Sequence, residues 1–429
     1  MIRAPLATLV LLALAAFPGA AVAQTIAIVH ARAMPVAGTP IDDATIVLDR
    51  GRISSVVARG AVPAGARVID AAGHIVTPGL VAAATQLGLV EVLAARDTDD
   101  QSVTSGPLGA AFDVQYAINA NSALIPVARA DGVTRAMTYP GRASTIPFSG
   151  MGAILHLIPD GDILETPRAA MFVAIGNTTQ TNAGGSRAAQ WVLLRNALEE
   201  ARLFVSAPRS GGPRDQLLGR PDIEALSNVI TGTMKLAIQA DRESDIRQAI
   251  RLAADENVRV VILGGAEAWR AANELAAAGI PVILDPEADL PQTFDALGAR
   301  LDNAALLAKA GVTIAFSVSG NGLYLSYDAG IDMREGAGIA VANGLPYAES
   351  LKAMTASPAR IWGLPNVGTL TPGADADVVI WDGDPLEPAS APIAVFVKGV
   401  EAPLSTRQTA LRDRYAPART NDPLPPAYR

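Results

Sequence analysis

Val258-Arg259-Val260-Val261-Ile262-Leu263-Gly264-Gly265-Ala266-Glu267-Ala268-Trp269-Arg270-Ala271-Ala272-Asn273-Glu274-Leu275-Ala276-Ala277-Ala278-Gly279-Ile280-Pro281-Val282-Ile283-Leu284 is the stretch whose reading decides the fold. Val258 to Leu263 is an apolar run of strand length, the pattern of a strand buried on both faces. Glu267 to Ala278 reads as a helix stopped by Gly279. Ile280 to Leu284 reads as the next strand, with Pro281 tolerable near its start.

The same alternation extends outward on both sides. Met234 to Ile238 reads as a strand, and Ser244 is placed to cap a helix whose Ile246, Ala249, Ile250 and Ala253 fall on one face. Asp302 to Ala310 reads as a helix ended by Gly311, and Val312 to Phe316 as a strand. Strands alternating with helices at this spacing indicate parallel βαβ units, here those of the second half of a (β/α)8 barrel. Toward the N-terminus the pattern blurs into an acidic loop, Asp97-Thr98-Asp99-Asp100-Gln101-Ser102, and glycine punctuation at Gly184-Gly185 and Gly211-Gly212. The loop lacks the glycine and glutamate of a calcium loop, and the glycines lack the lysine and helix of a phosphate loop.

Both ends of the chain are β-rich. Ile26 to Val29, Thr45 to Leu48, Ile53 to Val57 and Ala66 to Ile69 are short runs separated by Gly, Pro and Asp turns, and Val378 to Trp381 and Ile393 to Val397 have the same character. The expected class is therefore α/β: a (β/α)8 TIM-type barrel with a composite β-sandwich domain built from both termini. The expected segments are 1–23 as a signal peptide, 24–78 and 366–403 as the two parts of the sandwich, 79–365 as the barrel, and 404–429 as an extended Arg- and Pro-rich tail.

Arg3, the uncharged apolar run Leu6 to Phe17 and the small-residue site Ala21-Val22-Ala23 have the order of a secretory signal, too short to span a bilayer. The expected location is periplasmic or secreted, with no membrane span after cleavage. An exported chain without cysteine must be stabilised by its core alone. Half the residues are hydrophobic and only 4% are aromatic, which suits helices packed on a parallel sheet. A formal net charge of −8, with no basic stripe, argues against nucleic acid as a partner.

Ile75-Val76-Thr77-Pro78-Gly79-Leu80-Val81-Ala82-Ala83-Ala84-Thr85-Gln86-Leu87-Gly88, Ala356-Ser357-Pro358-Ala359-Arg360-Ile361-Trp362-Gly363-Leu364, and the Gly368 to Leu386 segment with Gly373-Ala374-Asp375-Ala376-Asp377 resemble the amidohydrolase superfamily, in its imidazolonepropionase-like branch. The resemblance extends over nearly the whole mature chain. It implies hydrolysis of carbon–nitrogen bonds in cyclic amides or amino-acid derivatives, at the carboxyl ends of the barrel strands. In the family, two histidines follow the first strand, a lysine or glutamate comes from the fourth, histidines end the fifth and sixth, and an aspartate ends the eighth. Those places match Ala84 and Gln86, Phe172, Gln239, Gly264, and Ser317 or Ser319. No lysine precedes Lys235, and the three histidines, His30, His74 and His156, stand at none of the matched places.

The resemblance therefore implies the fold and leaves the metal chemistry without its ligands. We expect no metal, no other cofactor and no metal-dependent catalytic residue. Gln86, Gln239, Asp241, Asp285 and Ser319 are the polar groups expected at the strand ends, where they could bind a small amide or amino-acid-derived ligand. Metal-free acid–base hydrolysis by Asp241, Glu267 or Asp285 is a further reading, against which stand ordinary roles as helix-start or turn carboxylates. The expected role is that of a catalytically degenerate or partner-dependent family member, or a non-catalytic binding or structural subunit of a periplasmic hydrolase complex. Its partner would be an intact amidohydrolase or a second copy of the chain.

Overall fold

The computed structural model describes residues 24–92, 95–141, 147–177, 179, 183–206, 217–318 and 324–416. The signal segment, Gly211-Gly212, Ser319 and the end of the tail lie outside the described residues.

The chain begins with β1 (Ile26–Ala33), β2 (Ile41–Asp49), β3 (Arg52–Ala58), β4 (Arg67–Asp70) and β5 (Ile75–Pro78). It then lays down β6 (Leu80–Thr85), β7 (Val133–Thr138), β8 (Phe148–His156), β9 (Leu164–Ala174), β10 (Lys235–Ala240), β11 (Val260–Gly264), β12 (Val282–Leu284) and β13 (Ile314–Phe316). It returns through β14 (Val378–Trp381), β15 (Pro392–Val397) and β16 (Val400–Glu401). The first five and last three strands form one sheet in the order β16-β15-β14-β5-β1-β2-β3, with β4 also on β1. It encloses its own core of Ile28, Ile46, Leu48, Val76, Val378 and Phe396.

β6 to β13 form the second sheet in sequence order, and its two outermost strands lie side by side, so it rolls into a nearly closed barrel. On β10 to β13 residues alternate between its two faces. Leu236 and Ile238, Val260 and Ile262, Val282 and Leu284, Ile314 and Phe316 pack outward under the helices. Ala237, Val261 and Leu263, Ile283 and Ala315 point into the lumen. This period of two in continuously apolar strands is what a sheet buried on both faces requires.

One strand departs from the expected barrel. β8 runs antiparallel to both β7 and β9, whereas the other neighbouring pairs are parallel. The cause lies in Ile158-Pro159-Asp160-Gly161-Asp162, where Gly161 takes φ +105°. A Pro-Asp-Gly turn reverses the chain directly, so no crossover helix forms between β8 and β9.

Smaller expectations are also corrected. Ser244 lies inside the helix Glu243–Glu256, one residue past its start, because Arg242 takes the extended capping conformation. The tail is not extended throughout: Arg407–Tyr415 is a helix, nucleated by a reciprocal capping box between Thr406 and Thr409. Among the described residues, no helix is long and apolar enough to cross a membrane.

Candidate functional site at the carboxyl end of the barrel

In a barrel of this kind the loops after the strands converge at the carboxyl end. Gln86, one residue past β6, and Gln239 on β10 do meet there, beside Tyr139, Ser149, Phe172 and Leu263. The space they enclose is about 30 Å³. That is room for one or two waters, against roughly 300–1,000 Å³ for a small-molecule site.

The rest of the lumen is filled by side chains. Trp362, from the helix Ala356–Trp362, joins the apolar lumen core and donates from Nε1 to the Ala83 carbonyl at 2.8 Å. Its ring lies 6.1 Å from that of Phe172, and Phe172 stacks on Tyr139 at 4.8 Å. An aromatic column thus occupies the barrel, built from side chains at 139, 172 and 362. Phe172 fits because it faces glycine: a Cβ on Gly152 would come within 2.7 Å of its ring. Ala84 is buried in the same apolar cluster.

Gly264 is held by backbone conformation as well as by space. Its φ is +94°, and a Cβ there would lie 2.3 Å from Oδ1 of Asp241. A histidine at this place would need both a strained backbone and a displaced Asp241. Ser317, at the end of β13, is buried and donates its backbone N–H to Leu284.

The carboxylates expected at the strand ends hold loops. Oδ1 of Asp241 accepts the Ala266 amide at 3.4 Å. Oδ1 of Asp285 accepts the amides of Glu287 (3.0 Å) and Ala288 (3.4 Å), an Asx turn after β12. Glu267 accepts from Glu243 N (2.9 Å) and Gly298 N (2.7 Å), tying two loops together. None of the three lines the space beside Gln86 and Gln239. Of the five residues expected to bind a ligand, Gln86 and Gln239 come together, Asp241 and Asp285 serve the loops, and Ser319 is outside the described residues.

Below the mouth the loop after β12 buries Asp289, which accepts from Asn303 Nδ2. Burial pushes its carboxyl up to about 8, reinforced by nearby carboxylates. Asp332 is pushed up to about 7 by burial and then by Asp328, Glu287, Glu335 and Asp285. This end of the barrel is thus acidic and mutually repulsive. Among the described residues, no three His, Cys, Asp or Glu side chains are grouped so as to hold a metal ion. The donors present at the mouth, two neutral amides and hydroxyls, do not fit a catalytic zinc-type centre.

His156 belongs to a different cluster, at the join between barrel and sheet. Nε2 lies 3.1 Å from Asp377 Oδ1, and Nδ1 lies 3.2 Å from the Arg135 guanidinium. Arg135, itself buried on β7, also pairs with Asp377, with Glu165 at 2.8 Å and with Asp375 at 2.5 Å. Burial would raise the Asp377 carboxyl; the Arg135 charge and the His156 hydrogen bond outweigh it and hold the group below its ordinary value. The two aspartates of Gly373-Ala374-Asp375-Ala376-Asp377 therefore clamp the returning strand β14 to the barrel.

Residues 232–402 match the model of the amidohydrolase family. An amidohydrolase from Thermotoga maritima superposes with a TM-score of 0.78 at 24% identity, over 88% of this chain and 99% of that one. The C-terminal stretch 232–402 is thus similar to the amidohydrolase family, and the chain has the fold of a solved amidohydrolase. A prolidase solved with N-methylphosphonate-L-proline shares the fold more distantly, with a TM-score of 0.53 at 17% identity, over 88% and 99% of the two chains. The amidohydrolase tasK of Hapsidospora irregularis is 42% identical over 57 residues, 13% of this chain; the match spans 6% of that protein's length. The barrel and its two-ended sheet thus share the fold of these solved structures, and the carboxyl mouth of this barrel is packed.

Proposed function

We propose that this chain is an exported amidohydrolase-superfamily protein that does not cleave carbon–nitrogen bonds by metal-activated water, and that it serves as a non-catalytic subunit. The observation carrying this reading is the Trp362–Phe172–Tyr139 column, which leaves about 30 Å³ beside Gln86 and Gln239. A hydrolytic site must hold a substrate and a water polarised by a cation or a base. Here the space admits water alone, and the polar side chains that line it, Gln86, Gln239, Tyr139 and Ser149, include no carboxylate or imidazole.

Small-ligand binding at the same mouth, the other reading of Gln86 and Gln239, is disfavoured on volume. A partner-dependent role has a separate motive: the loop after β12 holds Phe294 80% exposed and Leu297 62% exposed. Large apolar side chains presented to water beside a closed mouth suit a protein surface. The partner in this reading is an intact amidohydrolase or a second copy of the chain.

The test is to express the mature chain, measure bound zinc, manganese and iron after extensive dialysis, and assay it against dipeptides, N-acyl amino acids and cyclic imides. The reading expects no retained metal and no turnover. Stoichiometric metal with hydrolysis that disappears on chelation would overturn it.

A further inference from the structure

The amino end of the barrel is built differently from the mouth. A cavity of about 440 Å³ opens there, lined by Lys235 at the start of β10, Arg259 just before β11, Thr313 just before β13, and Arg360 on the helix Ala356–Trp362. Its volume falls in the range of small-molecule sites. The remaining lining is largely apolar, from Ile250, Val258 and Ile280 among others.

Its three cations are anomalous for this protein. Most described arginines are paired with carboxylates, among them Arg52, Arg135, Arg187, Arg195 and Arg247. Among the described residues, Lys235, Arg259 and Arg360 form no salt bridge, and their hydrogen bonds go to neutral acceptors. Lys235 Nζ donates to the Ile361 carbonyl, Arg259 to the Gly232 carbonyl, and Arg360 to Thr313 Oγ1 at 2.8 Å. Burial lowers the Lys235 ammonium, and the charges of Arg259 and Arg360 lower it further. A chain with eight more acidic than basic groups has thus gathered three unneutralised cations around one cavity.

We propose that this cavity is an anion site for a small molecule bearing a doubly charged tetrahedral oxyanion, that is, a phosphoryl group. The choice over a carboxylate follows from geometry. A carboxylate is planar and is satisfied by one bidentate arginine fork. Three cations from three different elements, with a threonine hydroxyl beside them, match a group with several acceptor oxygens and more than one charge. Such a ligand would relieve the mutual repulsion of the three side chains, and its organic part would lie on the apolar lining. The site is independent of whether the mouth is catalytic. The rival explanation is that the cations serve only the carboxyl ends of the helices Glu243–Glu256 and Ala272–Ala278, whose last turns line the same cavity.

Isothermal titration of the full mature chain with inorganic phosphate and with glycerol phosphate, at ionic strength matched with sodium chloride, separates the two. Saturable one-to-one binding is expected. Arg259→Met and Arg360→Met, both at exposed positions, should each weaken it by about tenfold or more, and Lys235→Met should do the same if it folds. Arg412→Met, an equal charge change on the C-terminal helix, should leave it unaltered. Absence of saturable binding, or equal weakening by Arg412→Met, would overturn the proposal.

Discussion

The two ends of the barrel are opposites. At the carboxyl end the strand tips carry Ala84, Gln86, Gln239 and Gly264, an aromatic column fills the lumen, and about 30 Å³ remains, bordered by an acidic loop. At the amino end two neighbouring cavities of about 440 and 610 Å³ share Thr313 and Arg360 and are lined by Lys235, Arg259, Lys309 and Lys352. A barrel active site belongs at the first of these ends. This chain keeps the scaffold that positions such a site and has given its interior to packing. The small and neutral residues at the strand tips offer few donors, while Phe172 and Trp362 occupy the space, and those are separable effects.

Breaking the packed end should produce the largest response. Phe172→Ala removes the middle of the column from a fully enclosed place, and chemical denaturation should show a loss of about 3–5 kcal/mol. A loss under about 1 kcal/mol would mean that the lumen is not the close-packed core described here. A comparable loss of roughly 3–5 kcal/mol is expected for Arg135→Met, which strands the buried Asp377 carboxylate without its principal counter-charge. Acid titration sharpens this: Asp377 is depressed, so its contribution is present above the ordinary carboxylate range and lost as pH falls through the depressed value. Arg135→Met should abolish that part of the acid sensitivity.

Gly264→Ala comes next, at about 1–3 kcal/mol, from a positive φ and the Asp241 contact. Gly264→Asn, which tolerates the left-handed region better, should cost less if φ dominates and as much if the Asp241 contact dominates. Asp289→Asn is expected to act with the opposite sign, as a stabilising change whose size depends on pH and vanishes near pH 4. Burial raises this carboxyl to about 8, so its ionisation opposes folding: the stability it allows is complete below the unfolded value near 4 and declines as pH rises to about 8. Melting curves for the two proteins should coincide near pH 4 and diverge toward pH 8, the variant being higher. Coincidence at pH 8 would contradict the burial assigned to this loop.

Much of the fold was legible because strand and helix periods are local. Val260 to Leu263 and Val282 to Leu284 announce themselves as strands buried on both faces, and Gly279 marks a helix end through its own φ of +63°. The reversed strand β8 is also signalled locally, by Pro159-Asp160-Gly161, a turn with no place in a simple alternation of strands and helices. The residues filling the mouth carried no such signal. Tyr139, Phe172 and Trp362 come from three distant segments, and nothing in their neighbours says that their rings converge. Lys235, Arg259 and Arg360 were invisible as a group for the same reason. Asp241 and Asp285 were expected at the strand ends and are close to them, but Asp285 is captured by the Glu287 amide two residues on and Asp241 by the Ala266 amide of the next loop.

The most direct test of the closed mouth is anomalous diffraction from crystals of the mature chain soaked in zinc and in manganese. The structure described here predicts no ordered ion among Ala84, Gln86, Gln239 and Gly264, with the Phe172 ring still between Tyr139 and Trp362. An anomalous peak at full occupancy at those strand ends, with Phe172 turned away, would contradict it.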